Sequence, residues 1–536
     1  MADDKGGEAR PKEYERAVMA LNTTQRGANF GHMQDRKTKK IEMILNCLTR
    51  INLTMDQIDH LPIIHVAGSK GKGSTCEYVD SILRCHGYTT GLFSSPHLIE
   101  VRERIRINGK PVSQDMFASA FWHVFNKLQA TRIANQDLMP GYFGVGLLMA
   151  LHIFVEQKVD VVILEVGIGG EYDATNFIPK PVVCGVASLH LEHTDVLGHT
   201  VEEITWHKAG IMKRGVPFVT VPHQESVMKV ILNRAKEKAC PVFVSPPVQE
   251  EEIGRPLGIA GERQTVNAAL ALQLCRIWMK RMTQGVLSLH SDASGELEHS
   301  NFLKHVRSAA DVPKRESINL SPREKEGLTK ARLPGRNQVV NRGAVTYYLD
   351  GAHTTQSMQH CVAWFKDAAE REAEEMGGKV CRSLVFRMKQ SKSAVDHFPY
   401  LTDCGFCRAA FCPHVVSSSA REQFPDSMDI RKDPAESRTI AESQLEDWKQ
   451  LENLDHCIPS CFPSIVSALW WAGLEMDTPL KQMAKADLSL EDKSEGGVTC
   501  SEEPMACGVT HVQVLVTGSL VMVGGALTIL KPDLWE

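Results

Sequence analysis

The sequence predicts an α/β protein with a doubly wound, mainly parallel sheet domain and a second, smaller Rossmann-like α/β domain. The first observation is an apolar run at residues 61–67, which leads into the segment GSKGKGS and then into a helical pattern that ends near Gly87. The second is the alternation of short apolar segments with amphipathic segments over residues 61–282. The third is a new strand, turn and helix pattern that begins at residue 345.

The segment after the first predicted strand has the character of a P-loop. Its glycines allow backbone N–H groups to approach phosphate, and the helix that follows adds positive potential. Lys72 can bridge terminal phosphates, and the Ser74 hydroxyl can hold Mg²⁺. The spacing differs from the usual P-loop because Gly73 separates Lys72 from Ser74, so a glycine- and lysine-rich surface turn is the alternative. The predicted nucleotide-binding residues of this loop are Gly68, Gly71, Lys72, Gly73, Ser74 and Thr75.

A chain of 536 residues is too long for one ordinary core, so we expect two domains. The first spans residues 1–330, with a polar, poorly periodic linker and insertion at 284–330. The second spans residues 331–536, with a weakly apolar insertion at about 425–510. The net charge of −5 argues against nucleic acid as the main partner.

The cysteine content and the composition of residues 1–16 predict the cellular location of the protein. The 15 cysteines are odd in number and scattered, which is typical of reduced intracellular thiols. Residues 1–16 contain no apolar or arginine- and serine-rich leader, so a cytoplasmic location is predicted; a mitochondrial form from another start site would not be visible here. Gly518, Gly524 and Gly525 interrupt the apolar stretch at 512–530, which therefore predicts strand, turn and helix, and no membrane span.

Three polar residues are expected at the carboxyl edge of the first sheet, where ligands bind in open α/β folds. Ser74 opens the helix after the loop, Glu165 ends an apolar strand, and His193 follows another strand. Together they can hold Mg²⁺. The alternatives are a salt bridge for Glu165 and an ordinary loop position for His193. A zinc site at His190, Glu192 and His193 is disfavoured because further ligands at zinc-like spacing are missing.

Two further segments carry candidate residues or cysteines. Residues 101–107, VRERIRI, alternate apolar and basic residues, which predicts an edge strand or ribbon with either a solvated face or substrate contact. The cysteines of 404–412 are better explained as strand residues than as a metal motif.

Lys208 lies in a helix that the capping box at Thr200 opens and that is expected to run to about residue 213. Helical spacing places Lys208 on one face with Ile204 and Ile211, toward the sheet. A lysine there needs a partner, for which Glu165 or a bound phosphate is the simplest candidate.

Nine ordered blocks resemble the eukaryotic-type folylpolyglutamate synthase family, within the Mur-ligase-like amide ligases. The blocks are HVAGSKGKGST (65–75), FSSPHLIEVRERIRING (93–109), LEVGIGGEYDATN (164–176), EHTDVLGHT (192–200), HKAGIMKRGVP (207–217), GERQTVNAALAL (261–272), LPGRNQ (333–338), YLDGAHT (348–354) and VLVTGSL (514–520). The resemblance implies ATP-dependent addition of L-glutamate to the γ-carboxylate of tetrahydrofolate and its polyglutamates. It implies an acyl-phosphate intermediate, the products ADP and phosphate, the cofactors ATP, Mg²⁺ and K⁺, and a monomer.

The resemblance also implies roles for individual residues. The metal-binding positions fall on Ser74, Ser95, Glu165 and His193. The nucleotide-binding positions outside the loop fall on Asn267, Arg336, Asp350 and His353. The folate-facing positions fall on Ser95, Pro96, His97, Arg104 and Phe143. Lys208 falls on a lysine that can be carbamylated, and it joins Lys72, Glu165 and His193 as the expected catalytic residues.

The chain departs from the family pattern at several positions. His190 replaces a usual Gly, Glu192 a usual Asp, and Leu333 an aromatic residue. Residues 386–393, FRMKQSKS, replace a block of the form FN-x-T-x-x-RD, with Arg387 at its Asn and Lys392 at its Arg. The alternatives are a dihydrofolate synthase, alone or bifunctional, and a catalytically impaired folate- or nucleotide-binding homologue.

Overall fold

The computed structural model describes residues 12–24, 35–132, 139–284, 306, 319–389, 394–417, 434–451, 456–491 and 508–535. It divides into two compact units. The first comprises Met1–His97 and Val101–Leu333, and the second comprises Leu98–Glu100 and Pro334–Glu536.

The first unit is built on an eight-stranded sheet with the order β4-β3-β2-β5-β1-β6-β7-β8. Among these strands β3 runs antiparallel to both of its neighbours, β2 and β4, and the other pairs are parallel, so the prediction of a mainly parallel sheet is confirmed. The strands are β1 Ile63–Ala67, β2 Thr90–Phe93, β3 Ile105–Ile107, β4 Lys110–Pro111, β5 Val161–Glu165, β6 Val183–Val186, β7 Phe218–Thr220 and β8 Val242–Val244.

Helices accompany this sheet along the chain. They are α1 Glu13–Thr23, α2 Asp35–Arg50, α3 Met55–Asp59, α4 Lys72–Cys85, α5 Gln114–Ala130, α6 Tyr142–Glu156, α7 Thr194–Leu197, α8 Val201–Lys208, α9 Glu225–Lys238, α10 Glu250–Ile253, α11 Gln264–Thr283 and α12 Pro322–Lys330. Short 3₁₀ turns occupy Val101–Arg104, Ala174–Phe177 and Ala209–Ile211.

Alternate residues of the central strands enter different apolar cores, which is why the sheet is covered on both faces. In β5, Val162 and Leu164 pack into the core formed with α1, α2, α5 and α6. Val161 and Ile163 pack into the core formed with α4, α11 and α12. The doubly wound prediction is therefore confirmed, and its fully buried central strands explain the continuous apolar runs in the sequence.

The second unit has a six-stranded sheet with the order β13-β12-β11-β14-β10-β9, in which only β9 is antiparallel. Its strands are β9 Gln338–Arg342, β10 Val345–Leu349, β11 Lys379–Phe386, β12 Phe406–Phe411, β13 Ile458–Cys461 and β14 Val509–Thr517. Its helices are α13 Thr355–Met376, α14 Phe398–Thr402, α15 Pro434–Lys449, α16 Ile465–Ala472, α17 Leu480–Glu491 and α18 Leu520–Leu530. The expected second α/β unit is thus present.

Three expectations about segments need correction. Residues 101–104 form a 3₁₀ turn, and only Ile105–Ile107 is a strand, because β3 must reverse beside β2. Within 284–330, α12 packs on the phosphate-loop helix so closely that a Cβ at Gly327 would lie 2.6 Å from the Ile82 Cα. Within 425–510, β13 pairs with β12, and Val466 and Leu469 are fully buried, so this part contributes to the sheet and the core of the second unit. Residues 285–305, 307–318, 425–433, 452–455 and 492–507 lie outside the described part.

The prediction that all cysteines are reduced is wrong for one pair. Cys381 and Cys407 form a disulfide, with their Cα atoms 6.6 Å apart. They lie on β11 and β12, which pair side by side, so strand pairing joins cysteines that are 26 residues apart. Cys407 is indeed a strand residue, while Cys404 and Cys412 are buried free thiols beside the same strand.

The apolar stretch at 512–530 contains β14, a turn at Gly518 and α18, as predicted. Among the residues that the structure describes, every helix is too short or too polar to cross a bilayer.

Candidate active site

The predicted phosphate loop connects β1 to α4 in the middle of the first sheet. Gly71 caps α4 with φ +86° and Gly68 has φ +149°, backbone geometry that L side chains rarely adopt. A Cβ at Gly68 would also lie 2.9 Å from the Ala187 Cβ. The Lys72 side chain turns back, and its Nζ donates to the Gly68 carbonyl at 2.9 Å. The loop therefore places a lysine over its own backbone at a helix N-terminus.

Neighbouring segments hold this loop in place. The N–H groups of Ser69 and Lys70 both donate to the Ser188 carbonyl, at 2.9 and 3.1 Å. The Ser69 hydroxyl donates to the His190 carbonyl at 2.9 Å, so the residue that departs from the family's Gly contributes through its backbone.

Helix α11 brings two side chains to the same loop. A Cβ at Gly71 would overlap the Asn267 side chain, which shows how closely Asn267 approaches. The Gln264 amide donates to the Ser74 Oγ at 3.4 Å and accepts from Asn267 at 3.1 Å. The predicted nucleotide residues Asn267 and Ser74 are thus brought together, although 193 residues separate them.

Glu165 ends β5, where its Cα pairs with Val66 of β1, one residue before the loop strand ends. Its side chain is 3% exposed, and its Oε2 accepts the backbone N–H of Ser95 at 3.0 Å. The structure therefore places Glu165 beside the SSPH segment and close to the start of the phosphate loop. Ser95 is joined to Pro96 by a cis peptide bond.

Two predicted folate-facing residues, His97 and Arg104, are in contact, and a third, Phe143, follows Tyr142, the aromatic neighbour of Arg104, at the start of α6. The Arg104 Nε donates to the His97 Nδ1 at 2.9 Å, and its guanidinium lies 5.2 Å from the centre of the Tyr142 ring. Burial lowers the pKa of Arg104, although it remains a cation in practice. Phe143 packs against Phe93 with ring centres 5.3 Å apart.

Lys208 is 1% exposed and does not pair with Glu165, contrary to the simplest expectation. Its Nζ donates to the Glu192 Oε1 at 2.6 Å and to the Gly68 carbonyl at 2.8 Å. Burial and the nearby charge of Lys72 lower the pKa of Lys208 to about 8, although Glu192 acts in the opposite direction. The pKa of Glu192 is lowered by Lys208 despite its own burial. Two lysines therefore converge on the carbonyl of Gly68.

His193 caps the short helix α7 with φ +48°. Burial lowers its pKa, and Lys208 and Lys72 act in the same direction while Glu192 opposes them. Across the described ranges, His, Cys, Asp and Glu form no group of three that could hold a metal ion, which gives the zinc alternative no support. The expected Mg²⁺ set differs from such a group because two of its members are serines.

Three other predicted nucleotide residues lie in the second unit, where the 333–338 and 348–354 blocks meet. Asp350 follows β10, and its Oδ2 accepts the N–H of Asn337 at 3.0 Å. Burial raises the pKa of Asp350, and the charge of Arg336 opposes that rise. The His353 Nδ1 contacts the Gly351 carbonyl at 2.9 Å, at the start of α13.

The altered block at 386–393 is described only in part. Arg387 is fully buried, and its guanidinium donates to the carbonyls of Met388 and Ser437. It thus ties the end of β11 to α15. Lys392 lies outside the described residues.

Two residues of the site were missed by sequence reasoning. Glu192 was considered only as a departure from the family and in the disfavoured zinc alternative, whereas it is the ion-pair partner of Lys208. Tyr142 stands next to Phe143 in the GYFG segment, and its proximity to Arg104 depends on how α6 lies against the turn at 101–104. An Asp-to-Glu change, which lengthens a side chain by one methylene, was the available signal for Glu192.

Comparisons with known proteins agree with this geometry. No family model matches the chain. The mitochondrial folylpolyglutamate synthase of Bos taurus is 38% identical over 97% of this chain and 93% of its own length, and the Homo sapiens protein is 37% identical over 97% and 92%. A putative folylpolyglutamate synthase of Caenorhabditis elegans is 35% identical over 96% and 92%.

Solved structures show the same fold. Escherichia coli FolC in complex with DHPP and ADP has a TM-score of 0.62 at 21% identity, covering 97% of this chain and 99% of FolC. Folylpolyglutamate synthase from Thermotoga maritima has a TM-score of 0.63 at 21% identity, covering 97% and 98%. An FPGS–AMPPCP–folate complex has a TM-score of 0.60 at 20% identity, covering 97% and 99%. With relatives of 35–38% identity along nearly its whole length, this chain belongs to the folylpolyglutamate synthase family.

Proposed function

We propose that this protein is an ADP-forming ligase that adds L-glutamate to the γ-carboxylate of tetrahydrofolates and their polyglutamates, which retains folates for one-carbon metabolism. The observation that carries the proposal is the phosphate loop, where Lys72 and Lys208 both donate to the Gly68 carbonyl, in a chain whose family relatives align over nearly its full length. ATP is the nucleotide that fits, as ADP and AMPPCP are named in the solved complexes of related fold.

The reaction has two steps. The folate γ-carboxylate oxygen attacks the γ-phosphorus of ATP, ADP leaves, and an acyl phosphate forms. The amine of L-glutamate then attacks the acyl carbon, phosphate leaves with the C–O electrons, and the amine loses a proton. Lys72 at the N-terminus of α4 stabilises the charge that develops on the phosphates during the first step.

The donor set at the sheet edge fits Mg²⁺, a hard cation that prefers oxygen ligands. Ser74 and Glu165 offer a hydroxyl and a carboxylate, Ser95 a second hydroxyl, and His193 an imidazole. A bound Mg²⁺ would supply charge neutralisation at the phosphates. The proposal also includes K⁺ as a monovalent cation that the enzyme binds, and a monomeric protein.

Lys208 is the second basic group of this site, and carbamylation is its proposed modification. Its amine would attack the carbon of CO₂, and loss of one proton would leave a carbamate anion. Because the pKa of Lys208 is about 8, the neutral amine is accessible near neutral pH. The unmodified alternative is the Lys208–Glu192 ion pair itself.

The remaining residues divide between the two units. We assign the folate to the region of His97, Arg104 and Phe143, because it offers a cation and aromatic surface. Residues 1–330 would form the ATP- and Mg²⁺-binding domain, and residues 331–536 the glutamate-ligase domain, where Arg336, Asp350 and His353 would contact the nucleotide.

We propose both a cytoplasmic and a mitochondrial location for this protein. The Bos taurus and Homo sapiens proteins are named mitochondrial, which supports a mitochondrial form beside the cytoplasmic one predicted from the sequence.

The test is ADP release by the purified protein. We expect release that requires both tetrahydrofolate and L-glutamate, with a folate one glutamate longer as product. ADP release with dihydropteroate but not with tetrahydrofolate would identify a dihydrofolate synthase, and release with both acceptors a bifunctional enzyme. Binding of folate without ADP release would identify an impaired homologue.

A further inference from the structure

His65 is a buried histidine in the middle of β1, the strand that leads into the phosphate loop. Its Cα pairs with Leu164 on one side and Cys184 on the other, and its side chain is fully buried. Its Nε2 lies 2.8 Å from the Thr175 Oγ1. Burial and the charge of Lys213 lower the pKa of His65 to about 3, so the ring is neutral when the enzyme works.

The neighbouring bonds fix the direction of this contact. The Thr175 hydroxyl donates to the Asp173 Oδ1 at 2.6 Å, and the Thr175 N–H donates to the same oxygen at 3.0 Å. A hydroxyl has one proton, so its oxygen must accept from His65. The chain therefore runs from the His65 Nε2–H to the Thr175 hydroxyl and on to the Asp173 carboxylate, whose other oxygen accepts the Ile168 N–H at 3.1 Å.

These bonds fix the loop at residues 167–176, hereafter the glycine loop, which lies against the backbone of Lys208. The Glu171 N–H donates to the His207 carbonyl at 2.7 Å. A Cβ at Gly170 would lie 2.6 Å from the His207 carbonyl oxygen and 2.9 Å from that of Lys208. The Asp173 charge also favours the charged form of Lys208 and so raises its pKa.

We propose that His65 is a positioning residue for the ligase reaction, holding the glycine loop and thereby Lys208 through the chain of bonds to Thr175 and Asp173. The inference rests on the proposed function, since Lys208 has a role only if the site performs that reaction. None of these hydrogen bonds joins His65 to a side chain of the phosphate loop. Replacement of His65 should therefore lower turnover more than it weakens ATP binding.

The experiment compares four variants in the ADP-release assay. We expect His65→Leu and Thr175→Val to lower kcat about tenfold with the KM for ATP changed less than about threefold, because a buried hydrogen-bond partner is lost. His65→Gln and Thr175→Ser can remake the bond, the first through its amide N–H, and should keep kcat within about threefold of the wild type. The His65→Leu/Thr175→Val double variant should lose no more than the worse single variant, because both substitutions interrupt the same chain of hydrogen bonds.

Thr220→Val is the matched control. Thr220 is equally buried and also contacts a histidine, His223, at 3.1 Å, but it belongs to β7. Loss of the Thr220 hydroxyl should leave kcat unchanged. The inference is overturned if His65→Leu and Thr175→Val keep wild-type kcat, or if Thr220→Val lowers kcat as much as they do. It is also overturned if His65→Gln and Thr175→Ser lower kcat about tenfold while circular dichroism shows that they are folded. A wild-type protein that releases no ADP would instead overturn the proposed function.

Discussion

The buried Lys208 predicts an unusual dependence of stability on pH, which replacement by methionine should remove. The lysine is 1% exposed, and its pKa is lowered from 10.5 to about 8, chiefly by burial. In the unfolded chain it keeps its proton up to about pH 10.5. Between these two values the unfolded state therefore binds more protons than the folded state.

The sign of the effect follows from proton linkage. When the unfolded state binds more protons, the free energy of unfolding rises with pH. For Lys208 this stabilisation is fully present above about pH 10.5 and is lost as the pH falls through about 8. One pKa unit corresponds to about 1.4 kcal/mol, so the full difference is about 3 kcal/mol.

The assay is urea unfolding of the wild type and of Lys208→Met at several pH values from about 8 to about 10.5, in bicarbonate-free buffer. The free energy of unfolding of the wild type, minus that of the variant, should rise by about 3 kcal/mol across this range. Lys229→Met, which removes one exposed lysine on α9, controls for the loss of a positive charge. A difference that stays flat or falls as the pH rises would refute the argument that burial outweighs the Glu192 contact.

Three further predictions concern the loop, the metal set and the glycine loop. Lys72→Ala should lower turnover at least about a hundredfold, measured as ADP release, and near-normal turnover would remove this loop from the ATP phosphates. Glu165→Gln should weaken the Mg²⁺ dependence of activity with the fold intact, because an amide is a poorer ligand for a hard cation. A variant that is less stable to heat but keeps the wild-type Mg²⁺ dependence would make Glu165 structural. Gly170→Ala should lower the free energy of unfolding by about 1–3 kcal/mol, measured by thermal unfolding, because its Cβ would overlap the backbone of Lys208. Gly141→Ala is the control, since a Cβ at Gly141 meets only one carbonyl oxygen, at 3.9 Å. Equal stability of the two variants would contradict the close approach at Gly170.

The elements around the phosphate loop could be predicted because their signals are local. β1 and β5 are continuous apolar runs that become buried on both faces, and the glycines at positive φ stand where the chain must turn. The capping box at the start of α8 is also local, because Thr200 and Glu203 each accept a hydrogen bond from the other's backbone N–H. Such patterns depend on residues within a few positions of each other.

β13 could not be predicted in the same way. It contains Pro459, spans four half-buried residues and pairs only with β12 at the edge of its sheet. A short edge strand carries almost no periodicity, so its existence depends on the partner strand. The 3₁₀ turn before β3 escaped prediction because its alternating basic residues also fit a strand.

By itself the sequence determined the α/β class, the position of the phosphate loop and the candidate residues, because apolar period, glycine placement and ordered motifs are properties of neighbouring residues. Only the tertiary structure decided which of those residues meet. Lys208 pairs with Glu192 because α8 lies beside the loop after β6, and Cys381 pairs with Cys407 because β11 and β12 are adjacent. Contacts between distant segments depend on how the elements pack, and no local pattern records that packing.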